Sequence, residues 1–526
     1  MKLLSLSHLR HLWLLLCCLP IFAQAGPADD FAAANRTQQA KLLQAWATAP
    51  DAACLPLLQA LKQENVVIDE AKHAFIQQGD RYQPLEGSAA PVGTPKKLWL
   101  NNRLRILIAN ALSAHRLVSE DPALRLQAAQ ALQQEAQNSQ LPLLTQRLAQ
   151  EKDSRVHDAL SIALANLQLT DADAKVRLNA VQLLGSSGAP ETQTRLQALT
   201  DASHEPDAAV RAEALKSLTS VKHRLMIGDL IGQAFTGLSL GSILLLAALG
   251  LAITYGLLGV INMAHGEMLM LGAYSAYLVQ GVFQQFAPQW LALYPLVALP
   301  VAFTITACIG MALERTVIRH LYGRPLETLL ATWGISLVLI QGVRVLFGAQ
   351  NVEVANPAWL SGGIQLLPNL VLPWNRIAVI LFVVLVLALT WLLLNKTRLG
   401  MNVRAVTQNR AMAACCGVPT GRVDMLAFGL GSGIAGLGGV ALSQLGNVGP
   451  ELGQGYIIDS FLVVVLGGVG QLAGTVVAAF GLGILNKILE PQIGAVLGKI
   501  LILALIVLFI QKRPQGLFAF KGRVID

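Results

Sequence analysis

Between Leu230 and Gln511 the chain is a succession of apolar, glycine-laced stretches, broken by one basic segment, Thr397 to Val418 (TRLGMNVRAVTQNRAMAACCGV). About 18 to 20 apolar residues in a row suffice for a helix to cross the hydrocarbon core of a bilayer, and several such runs follow one another here. That pattern predicts a helical membrane domain with one substantial basic loop.

The overall 54% hydrophobic and 13% charged content excludes an ordinary soluble globule, yet the average hides two halves. Residues 26 to about 222 are rich in Gln, Ala, Asp and Arg and hold no membrane-length apolar run, whereas 223–526 carries the long aliphatic stretches. Ahead of both, Lys2, Arg10 and His11 precede an apolar run through Phe22 and then Ala23-Gln24-Ala25. This is the layout of a signal peptide over 1–25, cleaved after Ala25, and it predicts that 26–222 is exported. Lipidation at Cys17 or Cys18 is the alternative, disfavoured by the bulk of Leu16. The formal charge of +8 is spread between the apolar stretches, which suits membrane orientation better than nucleic acid. Cys54, Cys308 and the Cys415-Cys416 pair form neither a disulfide framework nor a metal pattern.

Within the exported half, Asp, then Val or Leu three residues on, then Arg, Ala and Leu recur. The copies start at Asp121, Asp173 and Asp207, with a weaker one at Asp153, Val156 and His157. Asp at each start can cap free backbone N–H groups while Ala and Leu share one helix face. The units resemble HEAT-type helical repeats, which bury their apolar faces by stacking; an irregular helical bundle is the alternative.

An exported N-terminal half makes the first crossing run inward. Spans are expected near 231–260, 263–280, 291–312, 327–347, 376–395, 424–445 and 495–511. Arg315, Arg319 and Arg324, then Lys396, Arg398, Arg404, Arg410 and Arg422, then Lys512, Arg513, Lys521 and Arg523 fall on the inner side, as the positive-inside rule requires; Lys222 and Arg224 oppose it. Between the last two spans, Asp459 to Leu489 is interrupted by Gly467-Gly468-Val469-Gly470 and predicts a broken or re-entrant hairpin, with Asp459 at a helix start.

Gly431 to Gly436 matches G-x-G-x-x-G, but inside an apolar span it indicates close helix packing rather than a dinucleotide site. Gly494 to Lys499 lacks the spacing and hydroxyl of a phosphate loop, so no ATP site of its own is expected. Asn262, His265 and Glu267 lie at a junction between apolar helices. An ionised carboxylate at mid-membrane costs about 2.5 kcal/mol or more, so such a residue faces a partner or a watery path, unless it sits at the interface and caps a helix. No nucleophile, base and orienting acid group together, and no enzyme activity is expected. In the basic loop, about 396–423, Gly400, Arg404, Ala405, Ala411, Ala414 and Gly417 suit a short helix whose small residues admit another protein; a merely solvated loop explains the charges but not the small residues.

Gly237 to Gly272, the basic loop, and Asp459 to Gly474 (DSFLVVVLGGVGQLAG) together resemble the branched-chain amino acid ABC permease family. Within it, Gln454 to Ser460 (QGYIIDS), Leu485 to Glu490 (LNKILE) and Gln511 to Gly522 (QKRPQGLFAFKG), joined to the exported half, resemble the B-type permease subunits of urea transporters. The resemblance implies an all-α fold, a polytopic ABC permease domain preceded by the HEAT-like domain. It implies an importer in the inner membrane, with a second homologous permease subunit, two cytosolic ATPase subunits that use the ATP, and a periplasmic urea-binding protein. The chain itself would bind no cofactor. Asn262, His265 and Glu267 become candidates for the substrate path, and Gly400, Arg404, Ala405 and Gly417 for ATPase contact. Import of branched-chain amino acids or another small amide differs only in substrate; a membrane-anchored scaffold and an ATP-independent channel are the readings from other classes.

Overall fold

The computed structural model describes residues 26–518 apart from 79, 80, 86–90, 260, 261 and 469. The stretch read as a signal peptide lies outside the described residues, as does the end of the C-terminal motif. The chain divides into two compact units, Met1–Arg224 and Leu225–Asp526.

The first unit is mostly helical, as expected, and carries one small sheet. Strands β1 (Val66–Ile68), β2 (Ala74–Gln78), β3 (Arg81–Pro84) and β4 (Lys96–Lys97) form an antiparallel sheet in the order β3-β2-β1-β4. Val66, Val67 and Phe75 are buried there. Strands this short carry too little alternation to show as a period-two pattern.

Beyond the sheet, the four Asp positions do what the sequence asks of them. Asp121, Asp153, Asp173 and Asp207 each accept a hydrogen bond from the backbone N–H two residues on, at the start of a helix. The Arg of each strong copy folds back: Arg125, Arg177 and Arg211 donate to the carbonyls six and five residues earlier. Arg125 also forks onto Glu151, both bonds 2.9 Å, and Arg177 onto Glu205, at 2.7 and 2.8 Å. Each Glu stands two residues before the next Asp and also accepts that Asp's N–H. In both of these places the Arg of one copy clamps the turn that starts a later Asp-capped helix, Arg125 the turn at Asp153 and Arg177 the turn at Asp207.

The helices of the second unit are α1 (Ala208–Leu258, begun within the first unit), α2 (His265–Phe286), α3 (Tyr294–Thr316), α4 (Pro325–Phe347), α5 (Trp374–Lys396), α6 (Arg398–Gln408), α7 (Arg410–Cys415), α8 (Thr420–Ser443), α9 (Leu452–Gly467), α10 (Leu472–Ile493) and α11 (Ala495–Lys512). Between α4 and α5, β5 (Gly363–Leu367) and β6 (Leu370–Pro373) make a short antiparallel hairpin. Helix α1 is apolar all round from Ile243 to Leu249 and is buried on every side, as such a helix must be. In contrast α5 buries Val379, Val383, Val386 and Thr390 and exposes Leu381, Val384, Leu385, Leu389 and Leu392, the two-sided apolar pattern of a helix with lipid on one face.

Glycine sets the inner seams. Helices α3 and α8 run antiparallel, with Gly433 against Phe303 and Gly429 against Met311. A Cβ on Gly439 would lie 1.9 Å from the Leu269 carbonyl oxygen of α2, and one on Gly272 would lie 2.1 Å from that of Gly436. The G-x-G-x-x-G match is thus a packing surface, in keeping with membrane helices that associate through close backbone contact.

Among the described residues seven helices are long and apolar enough to cross a membrane. Two expectations change. The span expected at 263–280 is the helix α2, which carries too many polar residues to be among the seven; α10 takes its place. The hairpin after Asp459 does break at the glycines, but its second arm is a full 22-residue helix, and Leu517 N donates to Leu466 O at 2.8 Å beside the turn. Asp459 lies in the middle of α9, not at a helix start, and its carboxylate is 3.6 Å from Lys499 of α11.

Candidate functional site

The turn from α1 into α2 is built by Asn262, whose side-chain oxygen accepts from Ala264 N (3.1 Å) while its carbonyl accepts from His265 N (3.2 Å). Two residues after His265, Glu267 occupies the first turn of α2 with 1% of its surface exposed. Ser336 Oγ of α4 donates to Glu267 Oε1 at 2.9 Å, whereas Glu267 Oε2 is buried and makes no hydrogen bond among the described residues. Close contact fixes this place: a Cβ on Gly453 of α9 would sit 2.2 Å from the Gly266 carbonyl oxygen.

His265 turns the other way. Its Nε2 donates to Ala247 O of α1 at 3.0 Å, and a Cβ on Gly250 would fall 2.8 Å from its ring, so the imidazole bolts α2 to α1. The three residues expected in one path are therefore split, with Glu267 toward α4, His265 toward α1 and Asn262 holding the turn.

Sequence reading missed the partner helix. Thr328, Thr332 and Ser336 recur every four residues in α4 and are all buried, which places three hydroxyls on one face. Thr332 Oγ1 accepts from Met263 N (3.3 Å), and Thr328 Oγ1 donates to Leu321 O (3.1 Å) and Arg324 O (2.9 Å). The signal was present as a four-residue hydroxyl period in an apolar helix, but such hydroxyls also bond their own helix backbone, as Thr332 does to Thr328 O.

The basic loop folds as two helices, α6 and α7, separated at Asn409, whose side chain caps α7 through Met412 N. Gly400 is buried, and a Cβ there would lie 2.0 Å from the Leu394 carbonyl oxygen of α5. Its smallness serves the turn from α5 into α6, which corrects its placement as an outward contact. Arg404 is exposed and donates to Asn395 Oδ1 (3.3 Å), Ala405 is half-buried, and Gly417 is exposed at a φ of +84°, where glycine is favoured. Arg410 of α7 pairs with buried Asp424 of α8.

The permease component family of branched-chain amino acid transport systems matches residues 233–510, more than half of the chain. The chain belongs to that family. It is similar to the high-affinity branched-chain amino acid transport system permease protein LivH of Salmonella typhimurium, at 27% identity over 54% of this chain and 94% of the relative. It is similar to BraD of Pseudomonas aeruginosa, another protein named for that transport, at 28% identity over 54% and 94%. A shorter likeness, 32% identity over 18% of this chain and 32% of the relative, is to the ribose import permease protein RbsC of Escherichia coli. No solved structure shows a significant match. The matched region contains α2, α4 and both helices of the basic loop, so the permease unit is a multi-pass transport subunit and not an enzyme.

Proposed function

We propose that this permease is the membrane subunit of an ATP-driven importer of urea. It rests in the inner membrane with residues 26–222 on the periplasmic side and its C-terminus in the cytoplasm, and it binds no cofactor itself. A second homologous permease subunit, two ATPase subunits that hydrolyse ATP, and a periplasmic urea-binding protein complete the assembly. The arginines of α6 and α7 and those between α3 and α4 support an inner placement of the basic loop.

The observation that carries the substrate is the free Oε2 of Glu267 beside the hydroxyl row of α4. Urea offers N–H donors to a carboxyl oxygen and a carbonyl to a hydroxyl, and it is small and neutral. Glu267 makes no ion pair among the described residues. A branched-chain amino acid, the second reading and the one the relatives' names favour, would bring an ammonium that Glu267 can meet but also a carboxylate for which no cation stands beside Glu267 among the described residues, whereas urea needs none.

The test is uptake into proteoliposomes of the full assembly, with urea and with leucine. Hydrogen bonds to charged groups contribute about 1.5–3 kcal/mol, so Glu267→Ala should slow urea uptake roughly 10- to 150-fold with assembly intact. Undiminished uptake removes Glu267 from the path. ATP-dependent leucine uptake with urea excluded decides for the second reading.

A further inference from the structure

Where α7 meets the membrane helices, one arginine meets a buried acid and a tyrosine that itself bonds a second. Arg410 donates to Asp424 Oδ2 of α8 and lies over the ring of Tyr322, 4.4 Å from its centroid. Tyr322 in turn donates from its hydroxyl to Glu314 Oε1 of α3 at 3.4 Å. Asp424 and Glu314 are each 2% exposed, and Asp424 Oδ1 and Glu314 Oε2 have no hydrogen-bond partner among the described residues. Arg410 itself is 42% exposed, so it reaches Asp424 from the water side.

An anchor for α7 would be cheaper without this. Buried ion pairs are often no better than apolar packing, while removing one partner leaves an uncompensated charge. Glu314 carries a further handicap, since a carboxylate in the last turn of a helix opposes the helix dipole. Such a cluster favours a discrete engaged state over gradual slippage. What it engages is specific: Tyr322 belongs to the linker between α3 and α4, and the neighbouring carbonyls of Leu321 and Arg324 accept the Thr328 hydroxyl of α4. From Thr328 the same face of α4 leads through Thr332 to Ser336 and Glu267.

We propose that Arg410 is a positioning residue that locks α7 to the Tyr322 linker, so that a push on the basic loop shifts α4 and its hydroxyl row against Glu267. This rests on the importer reading above. Coupling then runs through a packed, hydrogen-bonded series with a two-state element at its start.

The experiment compares the full assembly carrying wild-type permease or Arg410→Ala, reading ATP hydrolysis, uptake of urea and of leucine, and the distance between spin labels at Met412 and Leu326, both exposed, with Cys308, Cys415 and Cys416 replaced by Ser. In the wild type the labels should keep their separation when ATP binds, because α7 and the start of α4 move together. In Arg410→Ala the separation should change on ATP binding, and solute moved per ATP should fall at least tenfold while hydrolysis stays within twofold. An unchanged transport ratio, or labels that still move as one, overturns the proposal. Should Arg410→Ala not assemble, Arg410→Lys retains charge on Asp424 but loses planar stacking; a two- to fivefold lower ratio is expected, and wild-type values in both readouts overturn it. A wild-type assembly that moves neither solute with ATP sinks the importer reading instead.

Discussion

Replacing Arg177 by Met tests whether the clamps of the first unit hold a desolvated charge. Glu205 is 2% exposed and Arg177 13%, and the bidentate hydrogen bond from Arg177 holds the Glu205 carboxyl below its usual value of 4.5. A carboxylate with a depressed folded pKa adds stability that is complete above the unfolded value and is lost as pH falls through the folded one. Without the guanidinium, the buried carboxylate escapes its unpaired state by taking a proton. At pH 7 that costs about 1.4 kcal/mol for each of roughly 2.5 pH units, a ceiling near 3.4 kcal/mol. At pH 5 the same arithmetic leaves about 0.7 kcal/mol. The assay is hydrogen exchange of purified full-length protein in detergent, followed in peptides covering 174–184 and 205–211 at several pH values. Arg177→Met should lose roughly 3 kcal/mol of protection at neutral pH, about the cost of breaking a buried pair, and less as the medium is acidified. A loss under about 1 kcal/mol at pH 7, the size of a surface pair, or a loss that does not vary with pH, refutes the reasoning.

Two further substitutions probe the basic loop. Gly400→Ala places a methyl where the Leu394 carbonyl oxygen already stands, so α6 cannot fold back on α5 as it does; protease cutting between 396 and 410 should speed up several-fold, and an unchanged rate would show that the turn has room. Arg404→Glu reverses an exposed charge that donates to Asn395, so the fold and thermal midpoint should hold while ATP hydrolysis and uptake come apart; retained coupling removes Arg404 from the ATPase contact.

The sequence announced the membrane unit through run length, because a lipid-crossing helix needs its apolar residues in one continuous stretch. It announced the capped helix starts through Asp and Arg, since each of those side chains acts within six residues of its own backbone. The clamps onto Glu151 and Glu205 were harder to see, being 26 and 28 residues away. The sheet over Val66 to Lys97 was invisible for the opposite reason, its strands being two to five residues long. At the site, Glu267 stood out as a charge among apolar residues, but its partner did not. Ser336 lies 69 residues on, in a helix where a hydroxyl is chemically unremarkable. Burial depth, orientation and partner all depend on which helices meet, and spacing along one helix does not carry that.

What decides the meeting is backbone proximity. His265, Gly266 and Glu267 are consecutive, so three directions leave the start of α2 within one turn. The first is pinned to α1 at Ala247, the second is pressed on Gly453 of α9, and the third is left facing Ser336 of α4. Gly250 leaves the space the imidazole fills, and Gly266 and Gly453 bring two backbones together where a single methyl on either would collide. With two of its three directions fixed by contacts that tolerate no added atom, α2 has no rotation left about its axis. The carboxyl of Glu267 is therefore aimed by glycines that never touch a solute, and any change that widens those seams should blunt the site before it unfolds the helix.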